Sequence, residues 1–232
     1  EAQHSHLRVD TEQLCGAGSL HSHLCQLGSG RDLDLAGSLI DGKKREGIAY
    51  YNTQSEFETE QFALHLNRLI CEEMTATGKD GVMFLCIGTD RSTGDSLGPL
   101  IGHKLRGRRL AGAAVIGTLD KPVHAMNLDL YARYIKLHYP DYVVVAIDAS
   151  VGSSDHAGYA TLGRGALKPG LGVSKELEAV GDISITGIVG GCGNYDPVML
   201  QSVRLSMVMQ MADCICESIF LVERLWENAV IV

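Results

Sequence analysis

Residues 82–105, VMFLCIGTDRSTGDSLGPLIGHKL, decide the architecture. Val82 to Ile87 form a continuous apolar run, as in a strand buried on both faces. Leu97, Leu100, Ile101 and Leu105 then recur at helical spacing, which predicts a helix from about Ser96 to Arg106, with Pro99 in its first turn. The polar, glycine-bearing turn between them ends on Asp95. In α/β proteins this is where phosphate-binding or catalytic groups stand. A carboxylate there can cap the helix, bind a metal or exchange protons.

The alternation continues downstream. AAVIG (113–117) reads as a second strand, NLDLYARYIKLH (127–138) as a helix stopped near Pro140, and YVVVAI (142–147) as a third strand ending on Asp148. GYATLG (158–163) is a short fourth strand and DISITGIV (182–189) a fifth. Asp196 and Pro197 open a final helix reaching about Trp226. Upstream, SEFE (55–58) fits a capping box for a helix running to about Thr77, with Phe62, Leu66, Leu69 and Ile70 on one face. Residues 1–50 show no sustained period and read as a weakly ordered extension ahead of one α/β domain at 51–232. Strands alternating with helices imply a three-layer α/β/α architecture around a mostly parallel sheet.

With 45% hydrophobic and 21% charged residues, the 232-residue chain has an ordinary globular balance. Its formal charge of −8 disfavours a nucleic-acid backbone as partner, because only Arg106, Arg108 and Arg109 cluster. No uninterrupted apolar run reaches the ~18 to 20 residues of a membrane span, and EAQHSHLRVD lacks a signal-peptide pattern. The seven cysteines form no CxxC pair, so a reduced, cytoplasmic protein is expected.

Several motifs fail on chemistry. GTDRSTGDS spaces its glycines one residue too far for a P-loop and sets Asp95 where lysine belongs. Cys192, in VGGCGN, follows a strand but has no histidine tied to it, and reads as a small buried thiol. Ser96 and Ser150 lie in no GxSxG and read as capping or turn residues. Cys15, His21, His23 and Cys25 match no standard zinc spacing. His124 follows the second strand and can orient a substrate or cap the next helix.

The two acids remain. Asp95 and Asp148 both follow strands, so both lie at the carboxyl edge of the sheet. If the first and third strands are neighbours, with the second beyond the first, the topological switch point falls between them. Two carboxylates in one partly dry crevice are expected to push one pKa up and the other down, supplying an acid and a base for hydrolysis. Helix cap and turn residue are the structural alternatives for the same two positions.

CIGTDRSTGDSLGPLIGHKL, GTLDKPVHAMNL, IDAS, KPGLGVSKELEAVGDISITGIV and LQSVRLSMVMQMA occur in this order. The series, over roughly 60–220, resembles the small sporulation proteins of the YyaC type, a spore-protease-like group related to the germination protease. The resemblance implies a hydrogenase-maturation-protease-like fold: a five-stranded mixed sheet of order 2-1-3-5-4, with strand 4 antiparallel. It also implies an atypical aspartic peptidase whose catalytic pair carries over to Asp95 in TGDSLGP and Asp148 in IDAS. In hydrogenase maturation proteases, similar positions and a later histidine contact nickel; no histidine lies between residues 183 and 195 here, so no metal or other cofactor is expected. GIVGGCGNYDP replaces the more typical GIVN after the fifth strand, which points to a different substrate preference. The expected partner is a protein or peptide substrate, spore proteins included, in the cytoplasm or spore core, with homo-oligomerisation left open. The alternative reading is a non-catalytic sporulation protein that binds a partner protein or a metal.

Overall fold

The computed structural model describes residues 47–108, 110, 112–169, 178–191 and 197–230. Six strands form one mixed sheet: β1 (Ile48–Asn52), β2 (Gly81–Cys86), β3 (Ala113–Ile116), β4 (Tyr142–Gly152), β5 (Tyr159–Arg164) and β6 (Ile183–Gly191). Their order is β1-β5-β6-β4-β2-β3. Strands β3, β2, β4 and β6 are mutually parallel, while β5 runs antiparallel to β6 and β1 antiparallel to β5. Read from β3, this is the expected 2-1-3-5-4 order with one strand added at the far edge.

That added strand, IAYYN, straddles the expected domain boundary at residues 50 and 51. It is five residues long, and its partner is distant in sequence: Tyr51 stands opposite Ala160. Tyr51 turns into the core, edge-on to Phe62 at 4.9 Å between ring centroids, while Tyr50 faces out. Residues 1–46, with the Cys15, His21, His23 and Cys25 cluster, lie outside the described residues.

Helices α1 (Thr59–Thr77), α2 (Leu97–Arg108) and α5 (Leu205–Val230) cover one face of the sheet, and α3 (Leu128–His138) covers the other. Short α4 (Pro197–Ser202) precedes α5. The SEFE capping box does not form. α1 starts at Thr59 without a side-chain cap, and the Glu58 carboxylate accepts from Gln61 Nε2 at 2.9 Å instead. Phe57 packs between Tyr51 and Phe62, which holds the preceding chain out of the helix. Burying an aromatic ring outweighs a cap worth about 1 kcal/mol.

The final helix is broken, not continuous. Val203 and Arg204 separate α4, which lies against the turn before α2, from α5, which packs chiefly along α1 and α2. By length and composition, Leu205–Asn228 is apolar enough to cross a membrane, which a search for uninterrupted runs overlooks. Its Val208, Met211, Ile215, Ile219, Val222 and Trp226 are buried in the main core cluster, so this apolarity is also that of a core helix.

Two glycines fix α2. A Cβ on Gly98 would collide with the carbonyl oxygen of Ile87, and one on Gly102 with that of Gly117. The helix therefore rests its backbone directly on the chain leaving β2 and β3, and that contact places the turn carrying Asp95.

Candidate functional site

The site forms where β2 ends and its neighbour continues. The Ile87 N–H donates to Ile147 O at 2.7 Å, the last bond between the two strands, after which Gly88 turns the chain at φ 136. Only glycine takes that φ at no steric cost, and a side chain there would strike Asp95 O. β4 runs on to Gly152, so Asp148 lies inside a strand and not after one, opposite Thr186 of β6. The position β2 vacates is filled by its own chain coming back. Thr89 N–H donates to Asp95 O at 3.0 Å, closing the loop, and a 3-10 turn at Thr93–Asp95 leads into α2.

Asp95 is not the helix cap. Leu100 N–H donates to Ser96 O at 3.0 Å, the first bond of α2, so Ser96 holds the cap position. The Ser96 hydroxyl donates to Thr93 O at 2.7 Å, which ties the turn to the helix. Asp95 lies one residue outside, its carboxylate free of the capping role.

The electrostatics set the pair apart from surface acids. Asp148 is 7% exposed, and its Oδ1 accepts from Ala149 N–H at 2.8 Å. Burial pushes its carboxyl well above the ordinary range; the nearby Asp95 charge pushes it further, and the Ala149 bond opposes both. Asp95 is raised from 3.8 to about 6, again by burial first, with a backbone hydrogen bond from Thr89 pulling the other way. The expectation that one pKa rises while the other falls is corrected: both rise. Desolvation leads in each case, and no cation offsets it in either.

The other candidates fall elsewhere. His124 belongs to the turn opening α3: its N–H donates to Asn127 Oδ1 at 2.8 Å, and its Nδ1 accepts from Met126 N–H at 3.3 Å. Ser150 sits in β4 beside an irregularity in its pairing with β6, not in a turn. Cys192 and Asp196 lie outside the described residues. Among the described residues, no group of three His, Cys, Asp or Glu side chains is placed to hold a metal. With no nitrogen or sulfur donor beside them among the described residues, two carboxylates make a poor fit for nickel.

Two features were not legible in the sequence. Ser92, in the same loop, has its Oγ buried without a hydrogen-bond partner, though serine at the start of such a turn commonly caps it. A cleft of about 200 Å³ also opens at this edge of the sheet, lined by Val151, Val189, Gly190, Leu200, Ser202 and Val203.

Residues 54–218 match the family described as Protein of unknown function (DUF1256). The chain belongs to that family. It is 47% identical over 150 residues to Uncharacterized protein YyaC of Bacillus subtilis (strain 168), across 64% of this chain and 72% of the relative. Asp95 and Asp148 both fall within the span that the family covers. Among solved structures, a [NiFe] hydrogenase maturation protease, HycI from Thermococcus kodakarensis KOD1, is similar at 17% identity. That similarity covers 68% of this chain and 99% of the other with a TM-score of 0.39, and carries no argument about the reaction.

Proposed function

We propose that this DUF1256 member is a peptidase-like hydrolase acting on a protein substrate through Asp95 and Asp148. The observation that carries the reading is the pair itself: two carboxylates at the switch point of the sheet, both with raised pKa values. Asp148, buried beside a second acid, has its carboxyl pushed well above the ordinary range, and Asp95, near 6, is the one assigned to give its proton up. Because the two carboxyls interact, their protons leave in steps that belong to the pair, and this reading takes the state with one proton as the active one.

In this reading the Asp95 carboxylate takes a proton from a water as its oxygen attacks the peptide carbonyl. Asp148 gives its proton to the leaving nitrogen as the C–N bond breaks. Hydrolysis consumes the water, and a proton moving from Asp95 back to Asp148 restores the starting state. The motif series resembling the sporulation proteins points to a peptide bond, and to a substrate handled in the cytoplasm or spore core during sporulation.

The test is to incubate the pure protein with spore-protein extract and follow new peptide termini by mass spectrometry. Termini that appear with wild type and not with Asp95→Asn or Asp148→Asn support the reading. Termini produced equally by all three proteins refute it.

A further inference from the structure

The cleft beside the aspartates has a shape and lining of its own. Val151 extends from β4, Val189 and Gly190 from β6, Leu200 and Ser202 from α4, and Val203 from the bend just after it. Apart from the Ser202 hydroxyl, the side chains are aliphatic or absent. Backbone polar groups complete the lining, and the cleft stands partly open to solvent; for scale, an enclosed apolar cavity of about 150 Å³ accommodates a benzene ring. About 200 Å³ is therefore room for one large apolar side chain, and small for a drug-sized ligand, which needs roughly 300 Å³ or more.

Its position ties it to Asp95. A Cβ on Gly94 would come within 2.8 Å of Leu200 O, so the turn ending on Asp95 touches the helix that walls the cleft. Val151 lies three residues past Asp148 along β4, an odd spacing that turns the two side chains to opposite faces of the sheet, and the cleft opens on the face of Val189, Leu200 and Val203. An extended peptide advances about 3.3 Å per residue. A substrate cut beside Asp95 therefore brings a side chain within about three residues of the scissile bond to the cleft.

We infer that this cleft is a specificity pocket that accepts one large apolar side chain, leucine, isoleucine, methionine or phenylalanine, of the peptide substrate near its cleavage site. The inference rests on the peptidase reading for its substrate class. The pocket itself is separable from turnover, because it predicts binding as well as cleavage.

The experiment profiles cleavage of a synthetic peptide library by the full chain and by Val203→Phe, which fills the cleft. In parallel, binding of fluorescent peptides to Asp148→Asn is measured, with leucine or alanine at the favoured position or, if nothing is cleaved, at each position in turn. The expected result is an apolar preference at one position within three residues of the cut. Val203→Phe should lower kcat/KM for the leucine peptide at least tenfold relative to the alanine peptide, the scale on which pockets discriminate side-chain size. Val151→Phe, filling the cleft from the opposite wall, repeats the test if Val203→Phe does not fold. Cleavage with no apolar preference, or with one that neither filling variant alters, overturns the pocket and leaves the peptidase. Tighter binding of a leucine peptide without cleavage, abolished by Val203→Phe, keeps the pocket and overturns the peptidase. Neither cleavage nor selective binding overturns both.

Discussion

Asp95→Asn separates a functional carboxylate from a structural one. The folded protein holds this carboxyl at about 6 against an ordinary 3.8. A raised folded pKa means that the native state keeps the proton longer than the unfolded chain does. The stability associated with the neutral group is therefore present below about pH 4 and lost as pH rises through about 6. At pH 7 the ionised Asp95 costs about 3 kcal/mol by this linkage, or about 2 kcal/mol after allowing for its partial exposure. Asparagine is neutral at every pH in this range, and Ser96, not Asp95, holds the cap position. The variant should thus match wild type near pH 4 and exceed it by about 2 kcal/mol at pH 7. For a chain of this size that is a rise in Tm of about 4 to 8 °C. Thermal and urea melts of both proteins at pH 4, 5.5 and 7 measure the difference. The same variant should be inactive, because the amide cannot take a proton from water. A variant destabilised at pH 7, or one whose difference from wild type does not change with pH, would refute the argument and return Asp95 to a structural role.

Other consequences follow from the same geometry. Activity should rise with pH through about 6 as Asp95 ionises and fall again on the alkaline side as Asp148 loses its raised proton; initial rates from pH 4 to 10 would test this, and a flat profile would contradict the pair. Asp95→Asn combined with Asp148→Asn should be little slower than either single change, since residues acting as one unit do not add. Gly98→Ala should cost about 2 kcal/mol and reduce activity together, because the new methyl pushes α2 off Ile87 O; a urea melt and a rate measured on one preparation decide it. A chain beginning at Gly47 should keep β1, whereas one beginning at Tyr51 loses its first three residues and should melt lower.

What the sequence determined by itself was local. The apolar run at 82–87 and the stripe Leu97, Ile101 and Leu105 are written in adjacent residues, so strand, turn and helix could be read without tertiary information. Alternation of such units implied a parallel sheet, and the motif series supplied the order of five strands. It also led to the expectation that Asp95 and Asp148 share one edge, since both were read as following parallel strands, although Asp148 lies within β4, which runs on past the end of β2. The remaining features depend on partners far away in the chain. β1 is a strand because β5 is there to pair with it. SEFE fails to cap because Phe57 finds Tyr51 and Phe62. Short α4 docks on the turn before α2, about a hundred residues earlier in the chain. Both carboxyls titrate high, against the expected split, because a pKa responds to all the low-dielectric matter around the group, not only to its neighbouring charge. The cleft is drawn from β4, β6 and α4, and no stretch of sequence records a volume enclosed by three separate segments. Periodicity and turn chemistry are properties of near neighbours; desolvation and shape arise only when distant segments pack together.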